Sequence, residues 1–233
     1  MDYVQTTVLK GAADVFGHII ANLSNLLFSV GVFPRSFKVG QVTPLLKKPG
    51  TGTTDMANFR LITILNTIGI ILERLAMTQM RSHMGNSPNL ASQQSAYRAL
   101  HSTETAMTRV VSDLLAAIDS GSPSVLLSLD ISAAFDTLDH RRLLERAKEL
   151  FGFDCVVIRW LALYLAGHDQ FAVVVGCRSR TEKAVPGVTQ VPVLGQLLFS
   201  IFTTPVGSLI STFSKDTEFS TTYTCCTEGT YYF

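Results

Sequence analysis

The chain has 233 residues, 47% of them hydrophobic and 16% charged, enough apolar material for a real core and too much for global disorder. The net charge of +1 hides an asymmetry: residues 1–110 carry 10 Lys and Arg against 5 Asp and Glu, residues 111–233 carry 9 against 13. A basic first half suits an anionic partner and an acidic second half suits cations, with chance along a long chain as the plainer reading. Mean hydropathy of +0.29 prompts a search for a membrane span. Residues 61–72 are too short and are interrupted by Asn66; residues 155–175 carry Arg159, His168 and Asp169. Neither reads as a bilayer helix of about 20 apolar residues. The start, Met1-Asp2-Tyr3-Val4-Gln5, lacks the basic-then-apolar pattern of a secretory signal.

In chain order, Val8, Ala12, Val15, Phe16, Ile19, Ile20, Leu23, Leu27 and Val30 recur at helical spacing, with Gly31 at the expected C-terminal cap and Pro34 beyond it. Residues 41–46 read as a short strand, placed at an edge or bulge by Pro44. Lys47-Lys48-Pro49-Gly50-Thr51-Gly52 is a basic turn, and residues 59–64 look extended. Residues 67–84 predict an amphipathic helix with Ile68, Ile71, Leu72, Leu75, Ala76, Met80 and Met84 on its apolar stripe and Gln79 on the same face. Residues 86–95 are polar and irregular. Ser102 is the expected cap of a helix through Ile118, carrying Met107, Val111, Leu114 and Ile118 on one face.

Gly121-Ser122-Pro123 breaks the chain, and residues 125–129 predict a buried strand ending in Asp130. Asp139 should cap a helix through Leu150, and Asp154 a helix ending at Gly167. Residues 171–175 and 181–185 predict a hairpin turning at Gly176, and residues 194–209 a partly helical run with Pro205 near its end. Residues 214–233 are rich in Ser, Thr, Tyr and Cys and show no period. Helices with scattered strands give an α+β fold class. The four cysteines, Cys155, Cys177, Cys225 and Cys226, form no zinc spacing and no disulfide framework, so free thiols in a reducing compartment are expected.

The strongest chemical signal is Leu127-Ser128-Leu129-Asp130-Ile131-Ser132-Ala133-Ala134-Phe135-Asp136. An apolar strand delivers a carboxylate at its end, small residues let a ligand approach the backbone, and an aromatic ring stands beside it. Asp130 and a nearby carbonyl are hard oxygen donors suited to a divalent cation. Asp139 reads as a cap instead, and Asp136 as solvated.

This segment resembles motif A of the reverse transcriptases of LINE-type non-LTR retrotransposons. Other blocks follow in the family's order: Gly31-Val32-Phe33-Pro34-Arg35-Ser36-Phe37-Lys38 with Val42-Thr43-Pro44-Leu45-Leu46-Lys47-Lys48, Asn58-Phe59-Arg60-Leu61-Ile62 with Leu72-Glu73-Arg74-Leu75, Gln94-Ser95-Ala96-Tyr97-Arg98 with His101-Ser102-Thr103-Glu104-Thr105, and Gly187-Val188-Thr189-Gln190-Val191-Pro192-Val193-Leu194-Gly195 as motif B. The resemblance covers roughly residues 30–213. It implies the fingers and partial palm of a right-hand, RNA-directed DNA polymerase: a helical lead-in over 1–30, a fingers-like region over 31–120, a partial palm over 121–213 and a divergent tail over 214–233.

Carried over residue by residue, Asp130 is the catalytic metal ligand and Ile131 lends its backbone carbonyl to the same ion. Phe135 is the gate against a ribose 2′-OH, Arg60 meets the incoming triphosphate, and Gln190 lies near the nascent base pair. Lys47 and Lys48 contact nucleic acid or phosphate. The implied cofactor is Mg²⁺ or Mn²⁺. The implied partners are an RNA template, a DNA primer and dNTPs, with no membrane, in an intracellular and, by family, nuclear setting.

The chain also departs from the pattern. Leu61 stands for the family's Pro and Phe37 for its usual Trp. In motif B, Thr189 stands for Pro, Val191 for Gly, Pro192 for Ser and Gln196 for Pro. Val191 puts a branched side chain where close approach needs none, and Pro192 removes an N–H. No Asp-Asp pair of motif C follows residue 213, and the thumb is missing. A two-ion transfer needs carboxylates from both motifs, so the chain is expected to be inactive or nearly so. The alternatives are a catalytically dead nucleic-acid-binding remnant and a non-functional translated relic.

Overall fold

The computed structural model describes residues 6–48, 50, 52, 54–55, 58–85, 87–90, 95, 100–124, 126, 138–174, 176–184 and 193–213. Helices α1 (Thr6–Gly11) and α2 (Ala13–Ser29) open the chain. Gly31 ends α2 at φ +64, with Val32 N–H donating to Leu27 O at 2.9 Å and Gly31 N–H to Phe28 O at 3.2 Å. That pair of bonds is a Schellman cap, which needs a left-handed residue where Gly31 stands. A 3₁₀ turn, Arg35–Phe37, leads into strands β1 (Val39–Leu46) and β2 (Phe59–Ile64).

Helices α3 (Thr67–Gly85), α4 (Thr103–Asp119), α5 (His140–Phe151) and α6 (Cys155–Leu165) follow. Strands β3 (Asp169–Val174), β4 (Cys177–Arg178) and β5 (Glu182–Lys183) precede the long helix α7 (Gly195–Phe213). The expected caps are in place. Ser102 Oγ accepts from Thr105 N–H and Thr105 reaches back to Ser102 in a capping box. Asp139 accepts from Arg141 and Arg142 N–H, and Asp154 from Val157 N–H.

The sheet runs β2-β1-β3-β4, with β5 also on β3. β1 pairs antiparallel with β2 from Gln41↔Ile64 to Leu46↔Phe59, and parallel with β3 from Val39↔Asp169 to Val42↔Ala172. Pro44 lies past the last β3 pair, where β2 is the one neighbour of β1 among the described residues, as a residue without an N–H requires. The hairpin does turn at Gly176, at φ +77. β4 pairs first and the predicted 181–185 run is reduced to β5, so the ladder on β3 is split.

The core lies among α2, α3, α5, α6 and α7, where Leu72, Leu143, Leu161, Leu194, Leu198 and Ile201 are 0% exposed. Phe33 packs edge-on to Trp160 and Tyr164, which stack on each other across one turn of α6. Two expectations shift. In α3 the buried face runs through Gly69, Leu72, Glu73, Ala76, Met80 and Met84, while Leu75 and Gln79 point to solvent. The stripe is rotated by part of a turn because the core lies on the Glu73 side, so Gln79 does not interrupt it. In α4 Ala106 is the buried residue; Met107, Val111 and Ile118 are exposed. The predicted strand 125–129 lies outside the described residues except Leu126, which is 65% exposed and not in a strand.

Candidate nucleic-acid interface

The register of the β1–β2 hairpin decides where the basic residues meet. Leu45 stands opposite Arg60 and Leu46 opposite Phe59. One residue on, Lys47 N–H donates to Asn58 O at 2.8 Å, extending the pairing past the strand end. Asn58 in turn donates its side-chain N–H to Gly52 O at 2.9 Å and its backbone N–H to Asp55 O at 3.1 Å, which folds the turn back on the hairpin. The backbone positions of Lys47, Lys48 and Arg60 therefore share one end of the hairpin, with both lysine side chains exposed. Asp130, Ile131, Phe135 and Gln190 lie outside the described residues. Among the described residues no three His, Cys, Asp or Glu side chains gather as a metal site, and no helix is long and apolar enough to cross a membrane. Cys155 and Cys177 are exposed free thiols.

In the helical core, Glu73 on α3 is 0% exposed and its Oε2 accepts from Leu194 N–H at 3.4 Å. The backbone of Val193 and the Tyr164 hydroxyl also act on this carboxyl. Burial pushes its pKa up to about 7 against the pull of these donors. The same burial, together with the Glu73 charge, pushes the Tyr164 hydroxyl well up. Glu73 Oε1 has no hydrogen-bond partner among the described residues. In the sequence Glu73 stands out only as part of the Leu72-Glu73-Arg74-Leu75 block. The available signal was its spacing: four residues after Gly69 and three before Ala76, it lies on the buried face. Asp139, by contrast, is the cap it was expected to be. Its bonds from Arg142 and Arg141 N–H and the two arginine charges hold its carboxyl below the usual range, with the Arg142 bond first.

A protein-family model described as "Reverse transcriptase (RNA-dependent DNA polymerase)" matches residues 46–225. The chain belongs to the reverse transcriptase family. The match takes in the hairpin end, α3 and the segments that resemble motifs A and B, and it runs past Phe213, where the motif resemblance ends, to residue 225. The chain is 28% identical over 228 residues to the RNA-directed DNA polymerase from mobile element jockey of Drosophila melanogaster, covering 93% of this chain and 25% of that protein. It is 32% identical over 179 residues to the probable RNA-directed DNA polymerase from transposon X-element of the same organism, covering 76% of this chain and 19% of that one. The reverse transcriptase domain is thus of the non-LTR retrotransposon type, and the chain spans about a quarter or less of the length of these relatives. Among solved structures, apo telomerase from Candida tropicalis truncated from its C-terminal domain superposes with a TM-score of 0.46 at 12% identity, over 86% of this chain and 45% of that one. Reverse transcriptases as a family work with a divalent metal ion and on nucleic acid.

Proposed function

We propose that this chain is the fingers-like region (31–120) and partial palm (121–213) of an RNA-directed DNA polymerase, able to hold primer-template but extending it little or not at all. The observation that supports binding is the hairpin end, where the register brings Lys47, Lys48 and Arg60 together. Lysine ammonium groups neutralise backbone phosphates and release counterions. Arg60 is the residue for the incoming triphosphate, because a guanidinium fork matches two phosphate oxygens. Phe135 excludes a ribose 2′-OH by bulk, and Gln190 lies against the nascent base pair.

The donor chemistry argues against full activity. Asp130 and the Ile131 carbonyl offer two hard oxygens, a fit for one Mg²⁺ or Mn²⁺. Two-ion transfer needs further carboxylates between the ions, and residues 1–233 contain no Asp-Asp pair. The ion, when bound, would polarise phosphoryl oxygens; this chain's residues fit half of that site.

The test has two arms on the folded full chain. Primer extension on a primed RNA template with Mg²⁺ or Mn²⁺ should give no product above an Asp130→Asn control; product lost in that control would overturn the inactivity. Binding of the same primer-template, followed against salt, should weaken in a Lys47→Ala/Lys48→Ala variant, with a salt slope shallower by about 2. Unchanged binding and slope would overturn the role of the hairpin end.

A further inference from the structure

The sheet carries a second basic edge, on the side of β3 away from β1. Val173 stands opposite Arg178 there, and Asp169 opposite Lys183. Positions 169, 171 and 173 share one face of the strand, so Arg178 and Lys183 lie on the Phe171 face, their backbones roughly 13 Å apart along β3. Arg35, itself largely exposed, reaches Asp169 at 3.5 Å on the same face. Glu182 stands opposite Gln170 and falls on the other face. At this edge three cations therefore meet one carboxylate among the described residues, and neither Arg178 nor Lys183 forms an ion pair there.

Arg178 is held in an unusual way for an exposed arginine. Its guanidinium carbon lies 3.9 Å from the centre of the Phe171 ring, close enough for planar stacking, and the ring beneath it is 5% exposed. Arg178 Nη2 donates to Thr181 Oγ1 at 3.5 Å. Ser179 fixes the hairpin around it: its N–H donates to Ala172 O at 2.9 Å, and its Oγ accepts from Ala172 N–H and donates to Arg180 O, both at 2.8 Å. The guanidinium thus rests on a ring with a hydroxyl at its side, while Arg178 stays open to solvent on its outer face. A fixed charged plane with one free face is what an unstacked nucleobase lies on, and cations beside it suit the flanking phosphates.

We propose that β3, β4 and β5 form a subsite for single-stranded nucleic acid, with Arg178 stacking one unpaired base and Lys183 and Arg35 holding the phosphates around it. This deepens the primer-template reading and rests on it. Ala172 pairs with Val42, so Arg178 lies two strands across from β1 and about four residues short of Lys47, roughly 16 Å by strand spacing and rise. At about 3.4 Å per nucleotide that is close to five nucleotides. An unpaired template strand leaving the hairpin end reaches Arg178 within that length.

The test compares two ligands on the folded full chain: a primed RNA template with an unpaired 5′ overhang longer than this span, and the same duplex with blunt ends. The overhang should tighten binding about five-fold or more, the gain from one stacked base. Arg178→Lys keeps the charge and loses the plane, so it should erase that gain and leave the salt slope unchanged. Because Arg178 also covers Phe171, a second arm uses the unaltered chain: acetylation of Lys183 should be slowed by the overhang ligand and not by the blunt one. Equal affinity for the two ligands overturns the subsite and leaves primer-template binding standing. An Arg178→Lys chain that keeps the gain overturns it too, as does Lys183 acetylation indifferent to the overhang. Binding of neither ligand defeats the primer-template reading, and the subsite with it.

Discussion

A Cβ on Gly31 would stand 2.7 Å from Val156 O and 2.9 Å from Arg159 Nε, and the backbone there is already at φ +64. Both facts penalise any side chain: the left-handed conformation by itself, and the contact because α6 has no room to retreat while Arg159 donates to Val30 O. Gly31→Ala should therefore lower stability by about 1–3 kcal/mol in urea denaturation, with the slope unchanged; a loss below a few tenths would mean that α2 and α6 shift apart freely. Gly31, Ser102, Asp139 and Asp154 were all legible in the sequence because capping is local chemistry: the donor and acceptor lie within five residues of each other. Glu73 was not, because a carboxyl amid apolar neighbours is explained by partners distant in sequence, at Tyr164, Val193 and Leu194.

The helices divide by what covers them. α5 and α6 alternate buried and exposed positions, and Leu143, Ala147 and Leu161 are sealed. α4 has the same kind of apolar periodicity, yet Val111 is 48% exposed and Ile118 65%. Periodicity identified α4, and caps identified α5 and α6, but neither could say which face meets a partner, since that depends on the topology. Substitutions should separate them. Leu161→Ala should cost about 2–5 kcal/mol, as removal of buried methyl groups leaves a cavity. Ile118→Ser should change stability by about 0.5 kcal/mol or less, since the side chain is already largely in water. Equal losses in thermal or urea unfolding would mean that the α4 face is covered in solution. Among the strands, β1, β2 and β3 were legible from residues 41–46, 59–64 and 171–175, and β5 lies inside the predicted 181–185 run; β4 was not legible, because two residues carry no period.

For the molecule as a whole, two titrating groups, Glu73 buried and His168 partly buried, act in opposite directions. Glu73 keeps its proton in the fold up to about pH 7. Its contribution to stability is full below the ordinary carboxyl value, falls as pH rises through 4.5, and is gone above about 7. His168 is held below its ordinary value of 6.5, by burial first, so its contribution is present above that value and fades as pH falls below it. The urea midpoint of the unaltered chain should decline between pH 5 and pH 8 relative to a Glu73→Gln variant; parallel profiles would show that Glu73 does not titrate in this interval. At this scale the sequence made the family and the α+β class legible, since ordered motif blocks and mixed periodicities survive many substitutions. The candidate interface was half legible. Lys47, Lys48 and Arg60 converge through a hairpin whose strands and turn were already apparent, whereas the long-range tie from α3 to α7 needed the packing of the core.

The parallel pairing of β1 with β3 has a consequence for synthesis. Val39 must wait for Asp169, which emerges from a ribosome 130 residues later. At ordinary elongation rates that is roughly 7–26 s. Through that interval β1 can pair with β2, whose residues follow within a short stretch, while its other edge stays open to any passing strand. The nascent chain is thus most exposed to misassociation after β2 has emerged and before β3 has, and completing residues 169–172 is the step that closes it.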